Sequence, residues 1–148
     1  MIIDGFLDWC HSNGKSFQYY IKLADHQPFN FAGIWDKWQN HEAGAETRTF
    51  SVITTEANPP MAQIHNTKKR MPVMLSRENE KKWIDNNLKK TDIEFLLKPY
   101  NEEEMEAYPV DRSISRLGFN TSEPSVLNTK EYKDLLPLSK TNNKAGLI

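Results

Sequence analysis

The chain has 148 residues, of which 38% are hydrophobic and 26% charged, and its formal net charge is −1. That length suits one domain around one core, and so small a net charge leaves only a local basic patch to hold a polyanion. A lone cysteine, Cys10, excludes an internal disulfide framework and a zinc site built on several thiolates, and no apolar stretch has the length of a membrane span or the form of a secretory signal.

Met1 to Trp9 (MIIDGFLDW) enters a strand-like apolar run at once, as the middle of a domain would. Phe17 to Leu23 (FQYYIKL), Phe29 to Trp35 (FNFAGIW) and Thr47 to Thr54 (TRTFSVIT) are aromatic or β-branched runs, and turn residues from Ala24 to Pro28 separate the first two. A hairpin-rich sheet is the simplest reading. Asp36 to Glu46, with its charges, His41 and Gly44, reads as an exposed loop, and Met71 to Leu75 as a further strand. Helices are predicted only afterwards. Ser76 caps Arg77 to Leu88, with Trp83, Ile84 and Leu88 toward one face; Thr91-Asp92-Ile93-Glu94 opens a second helix that Pro99 stops; and Asn101 to Glu104 opens a short acidic third, ending near Tyr108-Pro109. Tyr108 to Ile114 then returns as a late strand. Strands followed by helices define an α+β class, β-rich, with an antiparallel or mixed sheet and a few flanking helices. Residues 1–116 form this domain. Residues 117–148, rich in Ser, Thr, Asn and Lys, form an irregular extension in which Tyr132 to Leu138 docks on the body.

The chemically informative segment is Ile64-His65, followed by Arg70-Met71-Pro72-Val73-Met74-Leu75. Imidazole titrates nearest neutral pH, so a positioned one both gives and takes protons; the plainer reading is a ring satisfied by a backbone carbonyl. Asp8 lies between Leu7 and Trp9, so on a strand its carboxylate points away from the face that those two fill. It then meets either solvent or a cleft beside His65, where the two would make an acid/base pair. Lys68, Lys69 and Arg70, with Arg77 nearby, read as a solvated loop or as a phosphate-contacting rim. Trp9, Trp35 and Trp38 are core residues, unless one stacks on a base.

The four histidines, His11, His26, His41 and His65, lack ligand spacing, so no metal site is expected. Cys10 has no glycine-rich elbow or positive neighbourhood to activate it and reads as a small structural thiol. A hydrolase using Cys10 with His65 is the weaker alternative.

Asp4-Gly5-Phe6-Leu7-Asp8-Trp9, Phe31-Ala32-Gly33-Ile34-Trp35, Ile53-Thr54-Thr55-Glu56-Ala57-Asn58-Pro59, Ile64-His65 with Arg70-Met71-Pro72, and Tyr108-Pro109-Val110 occur in an order that closely resembles the SRAP family, the SOS response-associated peptidases. The resemblance runs from about Ile3 to Ser115. It places Asp8 where the family has a catalytic glutamate, His65 on its catalytic histidine, Arg70 on the arginine of an H-x-R-M-P motif lengthened here by Asn66 to Lys69, and Thr54 on a threonine of the same pocket.

The resemblance implies a DNA-damage response domain that binds single-stranded DNA and links covalently to abasic sites. In the family, a cysteine freed as the N-terminal residue by autoproteolysis captures the opened sugar aldehyde as a thiazolidine, with the histidine and carboxylate moving protons. On this reading Asp8 and His65 are catalytic, Arg70, Thr54, Lys68, Lys69 and Trp9 contact DNA, no cofactor is needed, and the location is cytoplasmic, on the nucleoid when DNA-bound. The family's M-C-G-R segment and the asparagine of its N-x-R-x-E motif have no counterpart in this sequence. The chain is therefore expected to be an N-terminally incomplete member, inactive alone in crosslinking, whose exposed sheet edges favour self-association or a complementing N-terminal segment. The alternative is a non-catalytic module that binds single-stranded DNA or another partner.

Overall fold

A computed structural model describes residues 1–39, 44, 46–116 and 118–139. Its strands and helices run β1 (Ile2–Ile3), β2 (Phe6–Ser12), β3 (Lys15–Leu23), β4 (Phe29–Phe31), β5 (Gly33–Gln39), β6 (Glu46–Val52), β7 (Thr54–Glu56) and α1 (Pro59–Ile64). They continue with β8 (Arg70–Pro72), β9 (Met74–Leu75), α2 (Arg77–Trp83), α3 (Lys90–Leu96) and β10 (Met105–Val110). The class is α+β, as the order of elements predicts.

Asn13 and Gly14, at φ 50° and 70°, make a two-residue turn of the kind whose backbone twist matches a hairpin. It joins β2 to β3 in antiparallel register from Ser12↔Lys15 to Phe6↔Ile21. β10 pairs antiparallel along the other edge of β3, which makes β3 the central strand and explains its continuous buried run from Phe17 to Ile21. Gly5 separates β1 from β2 at a point where a side chain could not fit, because a Cβ there would lie 2.3 Å from the Tyr20 ring.

The other strands form a three-armed pinwheel. The runs β4–β5, β6–β7 and β8–β9 each break at one residue, Ala32, Ile53 and Val73, and at that residue each run changes its partner: β4 pairs with β9, β5 with β6, and β7 with β8. The three breaking residues bond to one another in a ring. Ala32 N–H donates to Val73 O (2.9 Å), Val73 N–H to Ile53 O (2.9 Å) and Ile53 N–H to Ala32 O (3.0 Å). Ala32 and Val73 are fully buried, so the ring lies inside the protein, where unpaired amides would be costly. Tyr19, Ile21, Phe29, Phe31, Met61, Ile64, Met71 and Met74 form the main core beside it.

Several boundaries differ from the sequence reading. Helix α1 precedes the later helices and was not expected; Asn58 caps it by accepting from Met61 N–H (3.1 Å), and Pro59 begins it. The predicted Arg77–Leu88 helix stops at Trp83, where an Asp85-centred turn takes over: Asp85 N–H bonds Lys82 O, and Asp85 Oδ1 accepts from Asn87 N–H. Ile84 is therefore exposed, while Trp83 packs on Ala32, Val73 and Leu75. In α3 the effective cap is Asp92, which accepts from Lys89 N–H (3.1 Å), two residues earlier than the expected pattern.

The acidic third helix shrinks to a 3-10 turn, Glu102–Glu104, because the chain beyond it is recruited as β10 by six residues of register with β3. The late strand thus starts at Met105, ends at Val110, and is followed by a 3-10 turn, Arg112–Ser115. Of the loop expected over Asp36–Glu46, β5 absorbs the part up to Gln39 and β6 takes Glu46; His41 lies outside the described residues.

The tail docks on the body. Tyr132 stacks edge-on against Phe17 at 5.0 Å and donates its hydroxyl to Val110 O, while Lys15 and Asp134 approach to 2.5 Å. Gln63 and Ser139 share three hydrogen bonds: Ser139 N–H and Oγ each donate to Gln63 Oε1 at 2.9 Å, and Gln63 Nε2 donates to Ser139 O at 3.1 Å. No helix among the described residues is long and apolar enough to cross a membrane.

Candidate functional site

β2 carries Asp8, and its alternation is the reverse of a simple outward carboxylate. Phe6, Asp8 and Cys10 point inward, while Leu7 and Trp9 lie on the exposed side. Asp8 Oδ1 accepts from the N–H of Trp9 at 2.7 Å, which fixes the carboxylate and leaves Oδ2 facing His65 Nδ1 at 3.4 Å. Their side chains are 18% and 30% exposed, so the pair is reachable from solvent. Trp9 belongs to the opposite face of β2.

His65 stands at the C-terminal cap of α1, where its N–H bonds Met61 O at 2.7 Å. Asn66, a residue that the sequence reading passed over, holds this turn to β2. Its side-chain amide donates to His11 O (2.7 Å) and its Oδ1 accepts from His11 N–H (3.2 Å), occupying the free edge of β2 as a neighbouring strand would. Lys69 N–H then bonds His65 O, and Lys69 O accepts from Ala57 N–H, so the turn delivers the chain into β8. Lys69 does this at φ 48°, an uncommon conformation for a residue with a side chain.

β8 pairs with β7 in the register Glu56↔Arg70 and Thr54↔Pro72, and Arg70 Nη2 donates to Thr54 Oγ1. Arg70 and Thr54 are therefore brought together, as are Asp8 and His65. Lys68 and Lys69 are exposed on the connecting turn. The structure thus yields two pairs, an acid with an imidazole and a guanidinium with a hydroxyl, with His65 and Arg70 at the two ends of one turn.

Cys10 is not part of this arrangement. Its Sγ faces Gln63 O at 3.5 Å, and burial pushes the thiol above its usual range, opposite to what a nucleophile needs. Among the described residues, no three His, Cys, Asp or Glu side chains converge as metal ligands would. A cavity of about 1110 Å³ lies elsewhere, between the tail and the β3–β10 face, lined by Tyr19, Met61, Met105, Glu106, Lys130 and Tyr132. Asp8 and His65 do not line it, so the chemistry of that pair is assigned to its own partly exposed position between β2 and the end of α1.

The fold matches those of proteins with solved structures. A protein from Bacteroides thetaiotaomicron superposes with a TM-score of 0.83 at 36% identity, over 88% of this chain and 56% of that one. One from Bordetella bronchiseptica gives 0.66 at 26% identity, over 74% and 53%. The chain belongs to the SOS response associated peptidase (SRAP) family, whose pattern it matches over residues 1–117. It is 39% identical over 124 residues to the abasic site processing protein YoqW of Bacillus subtilis, covering 81% of this chain and 53% of that protein. To the abasic site processing protein HMCES of Xenopus tropicalis it is 26% identical over 142 residues, covering 83% and 41%. The chain thus spans about half the length of the curated relatives it matches.

Proposed function

We propose that this chain carries the proton-transfer half of a centre that processes abasic sites in single-stranded DNA, as part of a DNA-damage response. The observation that carries this reading is the 3.4 Å approach of Asp8 Oδ2 to His65 Nδ1, in a member of a family whose curated relatives are abasic site processing proteins.

An abasic deoxyribose rests mainly as a closed hemiacetal. Opening it requires a base to take the proton of the C1′ hydroxyl and an acid to protonate the ring oxygen as the C1′–O4′ bond breaks. A carboxylate fixed beside an imidazole supplies both roles, since the imidazole exchanges protons near neutral pH and the carboxylate orients it. Arg70, held by Thr54, and Lys68 and Lys69 on the turn are suited to the phosphates flanking the lesion. The aldehyde so exposed reacts with an amine to form an imine and releases water, and a neighbouring thiol closes a thiazolidine. Cys10 cannot serve there, because its nitrogen is in a peptide bond and its thiol is buried.

The test is a binding measurement by fluorescence anisotropy with matched single strands, one intact and one abasic, followed by a denaturing gel. Tighter binding of the abasic strand is expected, and Asp8→Asn and His65→Ala should erase that preference while leaving the circular dichroism spectrum unchanged. Equal affinity for both strands in the unaltered chain would overturn the proposal in favour of a plain binding module. A heat-stable shifted band from this chain that Cys10→Ala abolishes would refute the exclusion of Cys10 from the capture step.

A further inference from the structure

β5 and β6 pair only with each other, as a two-stranded ribbon that leaves the pinwheel, and it carries the largest concentration of exposed aromatic surface in the described residues. Trp35 and Phe50 stand directly opposite one another across the ribbon, and each is 68% exposed. One rung further out, on the same face, Lys37 stands opposite Arg48. Both features carry a cost. Two large aromatic faces meet water, and like charges directly opposite on a ribbon repel. Lys37 Nζ lies 3.2 Å from Glu46 Oε1, but both partners are about half exposed, so solvent screens that contact.

We infer that this face is a platform for single-stranded DNA, with bases stacking on Trp35 and Phe50 and the backbone phosphates meeting Lys37 and Arg48. An occupant that relieves both costs at once must present flat apolar faces together with negative charge. Single-stranded DNA does so, whereas a duplex keeps its base faces stacked inside. Position along the chain agrees. Arg48, Phe50 and Val52 are alternate residues of β6, and Thr54 opens β7 just past the break at Ile53, so the ribbon ends two residues before the hydroxyl that receives Arg70. The inference rests on DNA being the substrate, and it adds where the strand runs beyond the lesion.

The experiment uses the full 148-residue chain and a labelled single strand of about 15 nucleotides, long enough to cover a site of this kind. Trp35→Ala and Phe50→Ala are each expected to weaken binding by about 5- to 100-fold. Ile34→Ala, on the opposite face of the ribbon, should leave it unchanged. The double variant Lys37→Ala/Arg48→Ala should reduce the slope of log affinity against log salt by about 1.4, the value for two lost phosphate contacts to a single strand. Phe50→Tyr, which keeps a stacking ring, should bind as the unaltered chain does.

If the unaltered chain binds and the ribbon variants bind equally, with the same salt slope, the platform is refuted and the DNA reading stands. Should the unaltered chain bind no single strand at all, the DNA reading fails and the platform with it. A dimer in sedimentation that Trp35→Ala dissociates would identify a second copy of the chain as the occupant and overturn the inference.

Discussion

Asn66 accounts for the position of His65 as much as the pairing with Asp8 does. Its side chain bonds both backbone groups of His11, so the turn after α1 is tied to the strand that bears Asp8. Asn66→Ala is expected to lower stability by about 1–2 kcal/mol, the worth of two partly exposed hydrogen bonds, and to release the imidazole from the carboxylate. Denaturant unfolding measures the first effect; loss of the nuclear Overhauser contacts between the His65 ring and β2 measures the second. The pairing of Asp8 with His65 was open to a reader of the sequence as one of two orientations of a strand carboxylate. Asn66 was not, because its partners are main-chain atoms 55 positions away and no pattern of residue types marks them. The bulky neighbours Leu7 and Trp9 misdirect the reading further: they suggest an apolar face turned inward, whereas they lie on the exposed side and the aspartate faces in.

At the scale of elements, Asn58 shows how much one cap can carry. It is 5% exposed, accepts from Met61 N–H to start α1, and donates to Tyr100 O at 2.9 Å. Asn58→Ala removes the cap and strands a carbonyl, so a loss of about 2–3 kcal/mol is expected in equilibrium unfolding, and Asn58→Asp should recover the cap alone. Helix α1 escaped notice because six residues are too few for a 3.6-residue period to register, and only Met61 and Ile64 are buried. The β2–β3 hairpin has a local signal in Asn13-Gly14 that needs no tertiary information, although the sequence reading did not single it out. β10 lies between these cases. Its glutamate-rich approach favours a helix locally, and pairing along β3 overrides that preference.

For the whole molecule, the order of strands and helices was enough to give the α+β class, but not the pinwheel, whose ring joins residues that look like interior positions of ordinary strands. The contact near Tyr132 that the sequence suggests for the tail is present, against Phe17 and Val110. The tail's attachment has a charge component that pH should reveal. Hydrogen bonds from Ser113, aided by Lys130, hold the Asp111 carboxyl below the usual range, and Lys15 does the same for Asp134. A carboxyl depressed in the folded state stabilises it above the ordinary carboxylate pKa of about 4 and loses that contribution as pH falls through the lower folded value. The tail is therefore expected to be protected from amide hydrogen exchange at pH 5 to 8. Below about pH 4 it should open while β3 remains protected; loss of protection in β3 and the tail together would contradict separate release.

The ring of Ala32, Ile53 and Val73 is the rivet through three arms. Each amide in it is donated by one run and accepted by the next, so withdrawing any one residue leaves an unmatched group in each of the other two. Closing it draws together chain segments about twenty residues apart, twice over, before the arms can pair along their length. The arm bearing Thr54 and Arg70, the aromatic ribbon and the β4–β9 arm are thus bound to a single melting event, and no one of them can be lost by fraying while the others keep their registers.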